Sequence, residues 1–207
     1  MKRYFLDTNT FFNMEAGLNL GTTTKEVADN LVRAVRSGSQ SGEFELYMPP
    51  RIIEEFLSFF NDQKELFVQD LLSVVIVQSP DFSKIDLSAS IFARLIEDVR
   101  NRSLRGMQIA EEEMENAVFK LSSINTSQLS KKDFQIAIGG HIRAFRDRYR
   151  NATRHGFIDS LADLDLILLA KELDGYLVST DEGVLNWGRL MGVKEVPLSS
   201  LRLRLGV

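Results

Sequence analysis

Apolar positions in this chain recur at two different periods, and the change between them divides it into strands and helices. Residues 3–7, RYFLD, read as a short buried strand whose last residue is Asp7. From 22 to 36, Val27, Leu31 and Val35 share a helical face, with an N-cap among Thr22, Thr23 and Thr24. SGSQSG at 37–42 is a loop, EFELYM at 43–48 alternates as a strand does, and Pro49-Pro50 ends that strand. Helices are predicted over 51–61, with Pro50 near the start, and over 64–75.

The pattern changes over 82–130. Charge blocks (Arg100, Arg102, Arg105, then Glu111, Glu112, Glu113, Glu115) alternate with apolar stripes such as Ile91, Leu95, Val99 and Ile109, Met114, Val118. This predicts two amphipathic helices, 83–105 and 107–122, joined near Gly106 and packed as a hairpin projecting from the main body. A further long helix covers 131–154, interrupted at most by Gly139-Gly140, and 158–173 is a very apolar helix. GYLVSTD at 175–181 is a strand ending in Asp181, and VKEVP at 193–197 is a last strand. Strands alternating with helices give an α/β fold with a mainly parallel sheet, whose sites form at the carboxyl ends of the strands. Asp7 and Asp181 both occupy such ends.

HGFIDSLADLDLILLA, residues 155–170, brings Asp159, Asp163 and Asp165 to the mouth of an apolar run. On a helix Asp159 and Asp163, four apart, share a face, whereas Asp165 turns to another side. Read alone, Asp159 is an N-cap, Asp163 a first-turn acid, and Asp165 either a partner for a nearby arginine or a residue facing a solvent gap. Read with Asp7 and Asp181, Asp159 and Asp163 complete a set of four carboxylates. Such a set raises its own pKa values unless a cation intervenes. Oxygen donors suit Mg²⁺ or Mn²⁺, and the chain has no cysteine and only two histidines, which excludes thiolate sites and disfavours a histidine zinc site. Two such ions can activate water against a phosphodiester. Asp7-Thr8-Asn9 also suggests a phosphatase Asp-x-Asp, but Asn9 lacks the acid/base which that mechanism uses.

Composition adds little: 44% apolar and 26% charged residues are ordinary for a globular domain, and a net charge of −4 advertises no nucleic-acid binder. The exception is HIRAFRDRYRNATR, residues 141–154, with five arginines against Asp147 alone. Arg143, Arg146, Arg150 and Arg154 share one helical face and Arg148 lies off it. A row of planar guanidinium forks can follow a nucleic-acid backbone; the alternative is a salt-bridged solvent face. No stretch reads as a signal peptide or membrane span, so the expected location is cytoplasmic.

DTNTFF after a strand, Glu54-Glu55 after YMPPRII, the Asp159/Asp163 segment and STDEG at 179–183 resemble the PIN-domain nucleases. The long segment IGGHIRAFRDRYRNATRHGFIDSLADLDLILLAKELDGYLVSTDEGV resembles the minimal protein-only ribonuclease P family of bacteria and archaea. That resemblance implies a three-layer α/β/α nuclease domain over 1–81 and 130–207, with 82–129 as an inserted helical hairpin serving oligomerisation. It implies metal-dependent removal of 5′ leaders from precursor tRNA, with no RNA subunit and no membrane. It maps the acidic, metal-holding site onto Asp7, Asp159, Asp163 and Asp181, and RNA contacts onto Arg146 and Arg150, with Arg143 beside them. A further Glu is expected after the second strand, Glu55 by spacing within the Glu54-Glu55 doublet, and a large homo-oligomer, such as a dodecamer, is implied. Two alternatives stay open: a PIN ribonuclease of other RNA specificity, and a non-catalytic RNA-binding partner in processing.

Overall fold

The computed structural model describes residues 1–13, 21–38, 44–122, 128–154, 156–158 and 160–205. These form two compact units, one of residues 1–88 and 158–207, the other of residues 89–157.

In the first unit, β1 (Lys2–Leu6), β2 (Phe44–Met48), β3 (Val75–Val77), β4 (Tyr176–Val178) and β5 (Lys194–Glu195) form one sheet in the order β3-β2-β1-β4-β5. Every pairing is parallel. β1 is central: Tyr4 lies opposite Leu46 on one side and opposite Tyr176 on the other. It can be central because both its faces are apolar, with Tyr4, Phe5 and Leu6 entirely buried. The chain builds outward from β1 through β2 to β3, then returns to β1's other edge with β4 and β5. The order therefore reverses between β1 and β4, and a crevice opens at their carboxyl ends. That is where Asp7 and Asp181 sit.

Helices α1 (Asn9–Phe12), α2 (Thr24–Gly38), α3 (Pro50–Ser58), α4 (Leu66–Val74), α7 (Leu161–Glu172), α8 (Glu182–Leu190) and α9 (Leu198–Leu205) complete this unit. The α2 start is a capping box: Thr23 Oγ1 accepts from Glu26 N at 3.2 Å, and Glu26 reaches back to Thr22 N at 2.7 Å. In α7, Leu166 to Ala170 are all buried, so this helix is enclosed on every side. Gly175 admits β4 to the sheet, because a Cβ there would lie 2.1 Å from the Phe5 ring.

The second unit is α5 (Ala89–Leu121) and α6 (Lys131–Arg154). Here the prediction of two helices meeting at Gly106 is corrected: α5 runs for 33 residues straight through it. Gly106 is a packing residue. A Cβ there would stand 2.5 Å from the Tyr149 ring of α6, so its absence lets the two helices close, at a cost of about 1 kcal/mol in helix propensity. The two-helix unit is accordingly α5 with α6, rather than a hairpin confined to 82–129. Arg105 donates to Ala152 O at 2.9 Å, and Arg148 to Glu113 at 2.6 Å, which sets the helices antiparallel.

Two further differences are local. The strand β3 continues directly from α4, with too few residues to show alternation. The helix predicted from 158 begins at Leu161, where Ser160 Oγ accepts from Ala162 N at 3.0 Å. The N-cap of α7 is therefore Ser160. Asp159 itself lies outside the described residues.

Candidate active site

Asp7 is fixed by its own backbone before its side chain does anything. Its N–H donates to Val178 O at 3.0 Å, extending the β1–β4 ladder, and its carbonyl accepts from Thr10 N at 3.0 Å, opening α1. The carboxylate is thereby held inside, 2% exposed. Oδ2 accepts from the Ser179 hydroxyl, and from Asn9 Nδ2 at 3.4 Å. Burial pushes Asp7 up to about 6; hydrogen bonds from Ser179 and Asn9 pull it back, and the charges of Glu55 and Asp181 push it further.

Asp181 follows β4 and caps α8, its Oδ1 accepting from Gly183 N at 2.6 Å and Val184 N at 3.1 Å. Its own N–H donates to Ser179 Oγ at 3.0 Å. Ser179 thus touches both acid positions: its hydroxyl donates to Asp7 and accepts from the Asp181 backbone. Glu55 reaches this neighbourhood from the exposed side of α3, and of the Glu54-Glu55 doublet it is the one whose charge Asp7 feels. Asp163 stands half-buried in the first turn of α7. Asp165 is elsewhere. It is buried against α3, where Arg51 Nη1 donates to its Oδ2 at 2.5 Å.

No group of three or more histidines, aspartates and glutamates is drawn together as a metal cage among the described residues. The donor chemistry nevertheless fits a hard divalent cation. Asp7, Glu55 and Asp181 offer only carboxylate oxygens and repel one another, and the buried Asp7 has no cationic partner among the described residues.

The arginines of α6 separate into two kinds. Arg148 is bound to Glu112 and Glu113 of α5. Arg143, Arg146 and Arg150 are exposed and line a surface concavity of about 570 Å³ with Gln135, Ile142 and Asp147. Among the described residues no carboxylate pairs with any of those three. The salt-bridged face thus describes Arg148, and the free row describes the other three. The side chain of Arg154 is not among those described.

A profile of PINc domain ribonucleases matches residues 3–205. The chain is 35% identical over 196 residues to the RNA-free ribonuclease P of Pyrococcus abyssi, an alignment that covers 95% of this chain and 87% of that one. With the RNA-free ribonuclease P of Hyperthermus butylicus it shares 33% identity, covering 93% of this chain and 82% of the relative. With that of Methanococcus maripaludis it shares 30%, covering 94% and 90%. The chain belongs to the RNA-free ribonuclease P family of PIN-domain ribonucleases.

Within that family frame, two residues here escaped the sequence reading. Ser179 was visible only as the first letter of STDEG, two positions before a helix-capping aspartate. Arg51 was visible only as the residue after Pro49-Pro50. Neither signal names a partner, because each partner is more than 100 positions away, at |i−j| of 172 for Ser179 with Asp7 and 114 for Arg51 with Asp165.

Proposed function

We propose that this chain is a ribonuclease P that works without an RNA subunit and removes the 5′ leader of precursor tRNA with Mg²⁺ or Mn²⁺. The observation that carries the reading is the buried Asp7, pressed by the charges of Glu55 and Asp181 where the strand order reverses, in a chain that matches an RNA-free ribonuclease P over 95% of its length.

Asp7, Asp163 and Asp181, with Asp159 as the fourth, would hold the cation. Bound there, it supplies Lewis-acid polarisation of the phosphodiester and lowers the pKa of water. The residues themselves do the rest. The β1–β4 ladder and the Ser179 hydroxyl hold the Asp7 carboxylate in one orientation. The cap bonds to Gly183 and Val184 leave the Asp181 Oδ2 free for a ligand. Arg143, Arg146 and Arg150 grip phosphates of the precursor along α6, each as a planar fork.

A homo-oligomer built through α5 and α6 accompanies this reading, and a dodecamer is one assembly of that kind. Support comes from large apolar side chains left in water, including Phe92, Ile96, Val118 and Phe119 of α5 and Ile136 of α6. Between the helices lies an apolar cavity of about 340 Å³, lined by Ala110, Met114, Ala117, Ile138, Ile142 and Phe145, which suits a side chain of a second copy. Replacing Val118 and Phe119 by Glu should shrink the particle in sedimentation; unchanged size would remove this part of the reading. No helix among the described residues is long and apolar enough to cross a membrane, and the proposed location is the cytoplasm.

Competition between a precursor tRNA and an unstructured RNA of equal length tests the specificity. Preference for the precursor is expected. Equal or better cleavage of the unstructured RNA would make the chain a PIN ribonuclease of another kind.

A further inference from the structure

Phe59 is 57% exposed, and its ring packs on that of Phe12 with centroids 4.4 Å apart and planes inclined by 36°. The pair is held from behind. Phe56, wholly buried, lies 6.0 Å from Phe12 and 4.9 Å from Phe11. Phe60 packs on Phe56 at 5.0 Å and on Phe67 at 5.6 Å, closing the core side of the cluster. The Phe59 ring adds a fixed aromatic surface beyond what that core uses.

Its place is specific. Phe12 ends α1, the helix that opens on the Asp7 carbonyl. Phe59 caps α3 with helical dihedrals, φ −79° and ψ −10°, four residues after Glu55, and so lies one turn further along the same face. Phe59 thus stands one turn beyond Glu55 on α3, and the Phe12 ring that it packs on ends the short helix opening just after Asp7. A phosphodiester at those carboxylates brings a neighbouring nucleobase to the rings by chain continuity.

We propose that Phe59, seated on Phe12, stacks the unpaired nucleobase of the leader immediately 5′ to the scissile phosphate; this rests on the leader-removing activity proposed above. The base on the 3′ side is paired in the acceptor stem and cannot turn a face outward, whereas an unpaired base can splay onto an aromatic ring. Stacking of this kind reads the presence of a base and not its identity, which suits an enzyme acting on precursors with different leaders.

The test measures kcat/KM on a precursor tRNA and on the same precursor with an abasic nucleotide just 5′ to the cleavage site. The wild type should lose about 10-fold on the abasic substrate, and Phe59→Ala about 10-fold on the normal one. Phe59→Ala on the abasic substrate should lose no more than either change alone. Phe59→Trp should restore the rate, and Phe59→Leu, which keeps apolar packing on Phe12 without a π face, should not. The proposal is overturned if the two losses multiply, if Phe59→Ala cleaves at the wild-type rate, or if Phe59→Ala alters only the particle size in sedimentation, which would make the ring an interface with another copy. A wild type that cuts neither substrate would overturn the leader-removal reading first, and this proposal with it.

Discussion

The Ser179 hydroxyl donates a hydrogen bond to the Asp7 carboxylate across 172 positions of sequence. Its oxygen accepts from the Asp181 N–H in turn, so one small side chain aligns two acid-bearing strand ends. Removing it as Ser179→Ala leaves a buried carboxylate with one weaker hydrogen bond and freer rotation. Hydrogen bonds to charged groups contribute about 1.5–3 kcal/mol. The Mg²⁺ concentration for half-maximal cleavage should therefore rise roughly 10-fold or more, with Ser179→Thr restoring it. An unchanged metal titration in Ser179→Ala would remove Ser179 from the site.

Asp7 carries a pH signature of its own. Its carboxyl, ordinarily near 3.8, is raised to about 6 in the folded chain. The folded state thus favours the protonated form, so this group's contribution to stability is complete below pH 4 and is lost as pH rises through 6. That rise is worth about 3 kcal/mol. In EDTA, Asp7→Asn should be more stable than wild type by about that amount at pH 7.5 and equal to it at pH 4. Denaturant unfolding at the two pH values measures this, and parallel curves would contradict it.

Arg51 and Asp165 tie α3 to α7, the helices that carry Glu55 and Asp163. Arg51→Ala strands a carboxylate that is only 5% exposed. With Arg51 itself half in water, the loss should be about 1–3 kcal/mol, less than for a fully buried pair. Arg51→Ala with Asp165→Asn should recover part of it. A double-mutant cycle by chemical denaturation checks the coupling, and purely additive losses would show that the pair does not tie the helices.

On α6 the arginines should behave differently from one another. Arg146→Ala and Arg150→Ala should each weaken precursor binding and lower the salt slope of log K by about 1. Arg148→Ala should leave that slope unchanged, because Glu112 and Glu113 already occupy its guanidinium. Filter binding across a salt series separates the two kinds. Equal slopes for all three variants would contradict the division.

Legibility from sequence followed the range of the interaction. Strands β1 and β4 and the α/β class rest on local patterns and are present, but β1 stops at Leu6 and β4 at Val178, each short of the acid predicted to end it. The separation of Asp165 from its neighbours was also readable, since two positions on a helix change its side. Gly106 was misread because a glycine in an amphipathic run ordinarily marks a break. Its reason here is Tyr149, which belongs to another helix. The start of α7 was placed too early because Asp159 and Ser160 are both good caps, and only the backbone chooses between them. Ser179 and Arg51 could not be read at all, since a serine or an arginine gains its role from a carboxylate that folding brings to it.

The proposed reaction is a cut of precursor tRNA at the leader junction, made by the acids of the sheet unit with a divalent cation. Mapping the product's 5′ end after incubation of the purified chain with precursor tRNA and Mg²⁺ tests it most directly. One cut is expected, releasing the leader and leaving the mature 5′ end, and abolished by EDTA and by Asp163→Asn while tRNA binding persists. A cut elsewhere, or leader release that EDTA and Asp163→Asn leave untouched, would contradict it.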